Sequence, residues 1–160
     1  MLKNQIVLTY INFSLYIYIM ISWFKKEKSK HIGFEDVKEA LKKNYILLNV
    51  LPNNMQTTLI KNTLAVESEE QTINTMINDY NVPDTPVLIY GTHSCDDKPQ
   101  KKYDQLRGLG LGEIYIYNGG LFEWLLLNEL YGDDEFPIDH IGSDRVDILK
   151  YRPPISLFVT

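Results

Sequence analysis

The chain has 160 residues, of which 44% are hydrophobic and 23% charged, a composition that predicts one globular domain with its own core. Its net charge of -5 argues against a nucleic-acid-binding protein, because such proteins carry a strongly basic surface. The single cysteine excludes an intramolecular disulfide, and the three histidines are too far apart for a metal-ligand motif. We therefore expect neither a metal nor a cofactor.

The N-terminal segment, residues 1–32, is predicted to lie outside the folded domain. Residues 5–24 are uncharged and mostly apolar, which is close to the length that a membrane-spanning helix needs, and a cluster of lysines follows them. One interpretation is a membrane anchor that leaves the rest of the chain in the cytoplasm. The alternatives are a leader upstream of a true start at Met20, and a helix that packs on the domain. A cleaved signal peptide is not expected, because no small-residue cleavage site precedes the lysines.

The rest of the chain alternates between helical and strand-like hydrophobic patterns. In chain order these predict a helix over 34–43, a strand over 45–50, a strand within 59–68, a helix over 69–80, a strand over 86–90, a helix over 98–110, a strand over 113–117 and a helix over 121–131. This alternation predicts an α/β domain with a mainly parallel central sheet and helices on both of its faces. The domain is expected to span residues 33–139, with a tail at 140–160.

One loop is singled out as the candidate site. In open parallel sheets, ligands bind beyond the carboxyl ends of the strands, and the most hydrophobic predicted strand, 86–90, leads directly into the sequence GTHSCDD. The candidate site residues of this loop and of the helix start after it are Gly91, Thr92, His93, Ser94, Cys95, Asp96, Asp97 and Lys98. Asp97 stands where it would cap the helix that follows.

These segments together resemble the rhodanese-like domain family. The resemblance is carried by the strand VLIY that enters the loop, and by QLRGLGLGEIYIYNGGLFEW, in which a Gly-Gly turn precedes Trp124 by four residues. It covers residues 33–139 and implies a single rhodanese-like domain. It also implies that sulfur transfer, or phosphatase chemistry in the similar dual-specificity phosphatases, needs a cysteine directly after the strand. Gly91 stands at that position. We expect Trp124, with Phe122 and Leu125, to pack the last helix on the sheet.

Other residues of the chain also depart from the family pattern. Cys95 lies four residues beyond Gly91, and the carboxylates of Asp96 and Asp97 beside it disfavour a thiolate. The same two carboxylates are placed to accept hydrogen bonds from the loop's own N–H groups, which would fill an anion cradle with the protein's side chains. Asn49 and Leu51 stand where the resemblance leads one to expect an aspartate and an arginine.

Three functions remain open. The first is a non-catalytic binding or regulatory module that presents its loops to an unknown protein partner, which Gly91 and the acidic loop favour. The second is an enzyme, a thiosulfate sulfurtransferase or a phosphatase relative, with Cys95 as a displaced nucleophile. The third is a small-ligand or anion sensor that uses the backbone amides of residues 92–97. The apolar side chains of the tail pack on the domain or dock elsewhere.

Overall fold

The computed structural model describes residues 28–78 and 85–140. The candidate membrane segment at 5–24 and residues 141–160 of the tail lie outside these ranges, so the predictions about them stay predictions. No helix within the described ranges is both long and apolar enough to cross a membrane.

The described chain alternates between strands and helices as the sequence pattern predicts. The elements are β1 (Lys30–Ile32), α1 (Phe34–Leu41), β2 (Ile46–Asn49), a short 3-10 turn (Asn53–Met55), β3 (Thr58–Ile60), α2 (Val66–Asn78), β4 (Val87–Tyr90), α3 (Lys98–Gly108), β5 (Ile114–Tyr117), α4 (Gly120–Tyr131) and β6 (Ile138–His140). The strands β1 and β6 are too short to leave a hydrophobic pattern and are not predicted by the sequence. β1 lies within the segment that was assigned to the leader.

The prediction for residues 59–68 is wrong in its extent. The strand β3 ends at Ile60, and Val66 already belongs to α2. Between them the chain turns at Asn62, whose φ of 63° lies in the left-handed region that asparagine tolerates. Thr63 then forms a parallel bridge with Leu47 of β2. Residues 61–63 therefore form a turn and a bridge rather than a longer strand, and the apolar residues after them lead into α2.

The main sheet has the strand order β1-β5-β4-β2, and all of its pairings are parallel. β4 lies inside the sheet, and all four of its residues are buried. A strand that is buried on both faces needs apolar side chains on both, which explains the uninterrupted run of residues 87–90. A second sheet joins β3 and β6 in antiparallel pairing.

Two cores lie on opposite faces of the main sheet, because successive strand side chains point to opposite sides. Leu88 and Tyr90 face the first core, and Val87 and Ile89 face the second. The first core also contains residues of α1, α4 and the approach to β6, namely Val37, Ala40, Leu121, Trp124, Leu125 and Phe136. The second core contains residues of α2 and α3, namely Ile73, Tyr103 and Leu106. This confirms the α/β fold with helices on both faces.

Trp124 joins α4 to the segment that enters β6. Its side chain is fully buried, and its indole Nε1 donates a hydrogen bond of 3.1 Å to the carbonyl oxygen of Pro137. The ring meets those of Tyr117 and Phe136 edge to face. Trp124 and Leu125 are therefore core residues as predicted, whereas Phe122 is 40% exposed and does not pack under the helix.

Candidate functional site

The candidate loop begins where β4 ends, at the carboxyl edge of the main sheet. Tyr90 closes the strand, Gly91 is buried directly after it, and the loop continues to Asp97 before α3 begins at Lys98. The hydroxyl of Tyr90 is itself bound inside the domain, 2.8 Å from Thr63 Oγ1, and it accepts the N–H of Ile60 at 3.3 Å. Burial raises the pKa of the Tyr90 phenol well above its ordinary value. The base of the loop is therefore fixed to the core.

The side chain of Asp96 turns inward and binds the backbone of its own loop. One carboxylate oxygen, Oδ2, accepts the N–H of Thr92 at 3.0 Å, and the other, Oδ1, accepts the N–H of Lys98 at 3.0 Å. Lys98 is the first residue of α3, where N–H groups lack partners within the helix and attract negative charge. Asp96 thus ties the beginning of the loop to the beginning of the helix.

The charge of Asp96 is stabilised in this position. Burial alone would raise its pKa, but the hydrogen bonds from the Thr92 and Lys98 N–H groups and the nearby Lys98 ammonium together hold the pKa below its ordinary value. The carboxylate is consequently ionised at neutral pH and acts as the anion of this loop.

Asp96 also occupies the space beside Gly91. A Cβ atom built on Gly91 would lie 2.7 Å from Asp96 Oδ2 and 2.7 Å from Pro99 Cγ, whereas real Cβ contacts are essentially never shorter than 3.0 Å. The backbone of Gly91 does not have a positive φ, so its conformation is open to other residues. A side chain at residue 91 therefore requires Asp96 and Pro99 to move.

The first turn of α4 closes the loop from the other side. The N–H groups of Leu121 and Phe122 donate hydrogen bonds of 2.9 Å to the carbonyl oxygens of Gly91 and Thr92. Gly120 permits this approach: its φ is 64°, and an added Cβ would lie 2.7 Å from the carbonyl oxygen of Gly91. The sequence shows the Gly-Gly pair, but it does not show that the pair packs on the candidate loop.

The side chains at the tip of the loop point to solvent. His93, Ser94 and Cys95 are exposed, and the Cys95 sulfur lies 4.0 Å from the Ser94 hydroxyl oxygen. The Cys95 backbone N–H donates to Nδ1 of the His93 ring at 3.2 Å, so this ring stabilises the turn. The Asp96 N–H donates to the carbonyl oxygen of His93 at 3.0 Å. The structure therefore keeps Cys95 at the rim of the loop and away from its base.

The predicted capping role of Asp97 is wrong. Asp97 is the N-cap residue of α3, but its side chain makes no capping hydrogen bond. The side chain instead forms an exposed ion pair of 2.6 Å with Lys101, one turn further along the helix. Asp96 takes the capping role because its carboxylate reaches the N–H of Lys98 from the preceding position.

Asn49 and Leu51 also belong to the carboxyl edge of the sheet. The buried Asn49 accepts hydrogen bonds through Oδ1 from the Leu51 N–H at 3.2 Å and from Gln56 Nε2 at 2.7 Å. The side chain of Leu51 is buried in the first core. The segment after β2 is thus held by the Asn49 side-chain amide through hydrogen bonds and by the packing of Leu51. Leu51 brings no positive charge to the site.

Searches against known proteins give matches of fold. No family model and no curated protein matches the sequence. A solved structure of a protein from Lactobacillus plantarum is 16% identical, with a TM-score of 0.51, and the match covers 79% of this chain and 98% of that one. The Alr3790 protein from Anabaena sp. is 17% identical, with a TM-score of 0.50, and the match covers 73% of this chain and 83% of that one.

A Rhodanese_3-like domain of the same Anabaena protein is 15% identical, with a TM-score of 0.45, over 64% of this chain and 98% of that domain. Similarity at this level of sequence identity shows a shared fold. The activity has to be argued from the residues of the site. The mainly parallel sheet, the helices on both faces and the loop after β4 agree with the resemblance in the sequence. The chain thus has the α/β fold of the Lactobacillus plantarum and Anabaena structures.

Proposed function

We propose that this rhodanese-like domain is a non-catalytic binding or regulatory module. The observation that carries the proposal is the pair formed by Gly91 and Asp96 at the base of the loop. Gly91, which has no side-chain nucleophile, directly follows β4, and the Asp96 carboxylate fills the adjacent space and accepts the N–H groups of Thr92 and Lys98. Sulfur or phosphoryl transfer needs both a nucleophile and free donors for a developing anion, and this loop supplies neither at its base.

Three of the six backbone N–H groups of residues 92–97, those of Thr92, Cys95 and Asp96, already have partners within the loop, which argues against an anion sensor. The N–H groups of Thr92 and Lys98 bind Asp96, and those of Cys95 and Asp96 bind the ring nitrogen and carbonyl oxygen of His93. These four N–H groups would have to exchange an internal partner for the ligand. For Thr92 and Lys98 the exchange gains little, because the incoming anion replaces a carboxylate that is already in place.

An enzyme that uses Cys95 is not favoured by its surroundings. The thiol is exposed at the rim of the loop, four residues beyond the buried Gly91. Its nearest side-chain partner is a hydroxyl at 4.0 Å, which is a weak contact for sulfur. The exposed rim, made of His93, Ser94, Cys95 and Asp97, is instead a polar surface at the sheet edge that a protein partner would meet.

A sulfurtransferase assay tests the proposal. The full chain and its Cys95→Ser variant are incubated with thiosulfate and cyanide, and thiocyanate is measured beside an active rhodanese as positive control. We expect both proteins to match the buffer blank. Turnover by the wild type that disappears in Cys95→Ser would overturn the proposal. Hydrolysis of p-nitrophenyl phosphate, measured on the same two proteins, applies the same criterion to the phosphatase alternative.

Residues 5–24 decide where such a module would act. We extend the proposal to a membrane-held module, for which the uncharged segment and the lysines after it are the support. Chains that start at Met1 and at Met20 are expressed and fractionated. An anchor predicts the longer chain in the membrane fraction, resistant to carbonate, and the shorter chain in the supernatant. Equal distribution of the two chains would overturn the extension.

A further inference from the structure

The outer face of α4 carries a row of exposed apolar side chains. Phe122, Leu126 and Leu130 follow one another at intervals of four residues, so they form one stripe along the helix, which we call the α4 stripe. They are 40%, 41% and 67% exposed. A helix of a single domain normally turns such a row inward, and here the inward row is formed by Leu121, Trp124 and Leu125 instead. α4 is therefore apolar on two faces, and only one of them packs on the sheet.

The described chain leaves the domain at the edge of the main sheet where α4 also begins. His140 is held at the start of β3 through the contact of its Nδ1 with Thr58 Oγ1 at 2.9 Å. Two residues before Thr58, Gln56 binds Asn49, the last residue of β2. The exit at His140 is thus at the carboxyl edge of the main sheet. α4 also begins at this edge, where its first turn binds the loop after β4.

The length of chain beyond His140 is sufficient to follow the stripe. Residues 141–160 would span roughly 65 Å if fully extended. The 12 residues of α4 form a helix about 18 Å long. A segment that starts at the same edge can therefore run along the whole helix with residues to spare.

The chemistry of the two segments is complementary. Residues 148–158 contain apolar side chains that the domain pattern leaves without a role, together with two cations, Lys150 and Arg152, and no acidic residue. Residues 120–136, which include α4 and the turn after it, contain five acidic residues, but Lys38 of α1 already pairs with Glu135, and Lys42 and Lys61 line the same cavity as Asp134 and Glu135. The match between the two segments is therefore one of apolar side chains. We propose that residues 148–158 pack along the α4 stripe of their own chain.

Hydrogen–deuterium exchange of the full chain tests the proposal, because protection of amides reports packing directly. We expect amides of residues 148–158 to exchange at least about tenfold more slowly in the wild type than in Leu126→Asp. The matched control is Leu109→Asp, which charges an exposed leucine, 49% accessible, at the end of α3 on the opposite side of the sheet. It should leave the protection unchanged.

A second variant keeps the test independent of the fold of α4. Leu157→Asp alters only the proposed occupant. It should remove the same protection, while the amides of β4 and α4 exchange as slowly as in the wild type. Unprotected residues 148–158 in the wild type would overturn the proposal, as would equal loss in Leu109→Asp. Light scattering that shows a dimer dissociated by Leu126→Asp would overturn it too, because a second copy would then cover the stripe.

Discussion

At the scale of single residues, the site is defined by Gly91 and Asp96 together. A missing nucleophile alone would leave a cradle of N–H groups ready for an anion. Here the Asp96 carboxylate binds the N–H groups of Thr92 and Lys98 and lies 2.7 Å from where a Cβ on Gly91 would be. The base of the loop therefore lacks a nucleophile, and the space beside it is filled by the Asp96 carboxylate. Both features argue against catalysis at this position.

Restoring a cysteine at the base should accordingly destabilise the domain. Gly91→Cys forces contacts with Asp96 and Pro99, and we expect it to lower the free energy of unfolding by about 1–3 kcal/mol in urea titrations. Gly108→Cys is the control, because a Cβ there has no heavy atom within 4 Å. That variant should be at least as stable as the wild type, since glycine is unfavourable within a helix. Equal stability of the two variants would show that the base of the loop has room for a side chain.

The charge of Asp96 predicts a pH dependence. Its folded pKa lies below the ordinary value of 3.8, so its contribution to stability is fully present above that pH and is lost as the pH falls through the folded pKa. We expect Asp96→Asn to cost about 1 kcal/mol at neutral pH and progressively less below about pH 4. Unfolding titrations over this range measure the difference.

Asp97→Asn serves as the comparison for this charge. It removes only an exposed ion pair with Lys101, which should change stability by less than about 0.5 kcal/mol at any of these pH values. A cost for Asp96→Asn that does not change with pH would mean that the ionised carboxylate is not what the loop binds.

At the scale of elements, the loop is held between two helix N-termini. α3 binds Asp96 through the N–H of Lys98, and α4 binds the carbonyl oxygens of Gly91 and Thr92 through its first turn. The docking of α4 depends on Gly120, which brings the two backbones into contact. The loop is therefore braced by secondary structure on both sides, and its exposed tip is the part that remains available to a partner.

Gly120→Ala tests this bracing. The added Cβ would lie within 3.0 Å of the backbone of residues 91–93, and the positive φ adds a conformational cost, so we expect a loss of roughly 2–4 kcal/mol in unfolding free energy. Gly110→Ala has the same type of positive φ but no heavy atom within 4 Å of its Cβ, so it should lose only about 1 kcal/mol. The same loss in both variants would show that close approach to the loop is not the constraint.

At the scale of the whole molecule, α4 links the two sheets. One side of the helix packs on the main sheet, and Trp124 and Asn128 bind carbonyl oxygens of the segment that enters β6, those of Pro137 and Phe136. β6 in turn pairs with β3 of the small sheet. The last described strand therefore depends on side chains of α4.

Trp124→Phe should weaken this link. It removes the hydrogen bond to the Pro137 carbonyl and part of a fully buried ring, and we expect a loss of roughly 2 kcal/mol. Exchange of the β6 amides should rise with it. The control is Tyr131→Phe on the same helix, whose side chain is 64% exposed, and its effect should stay within about 0.5 kcal/mol. Unchanged β6 exchange in Trp124→Phe would contradict the link.

The sequence was sufficient for the layout of the fold and for the location of the loop. Buried strands such as residues 87–90 and amphipathic helices leave patterns that depend on local chain geometry alone. The short edge strands β1 and β6 leave none, because three residues make no periodicity and their pairing depends on distant partners. The sequence also indicates that Asp96 and Asp97 bind the loop's own N–H groups, but it does not show which of the two does so. The structure shows that Asp96 binds the loop and that Asp97 pairs with Lys101.

The most direct measurement of the central claim is the intact mass of the full chain after incubation with thiosulfate, without cyanide. A sulfurtransferase intermediate carries one extra sulfur atom as a persulfide on its nucleophilic cysteine, and here Cys95 is the only thiol. A loop whose base holds Gly91 and the Asp96 carboxylate predicts an unchanged mass in the wild type and in Cys95→Ser. A gain of one sulfur atom in the wild type, absent from Cys95→Ser, would contradict the non-catalytic account.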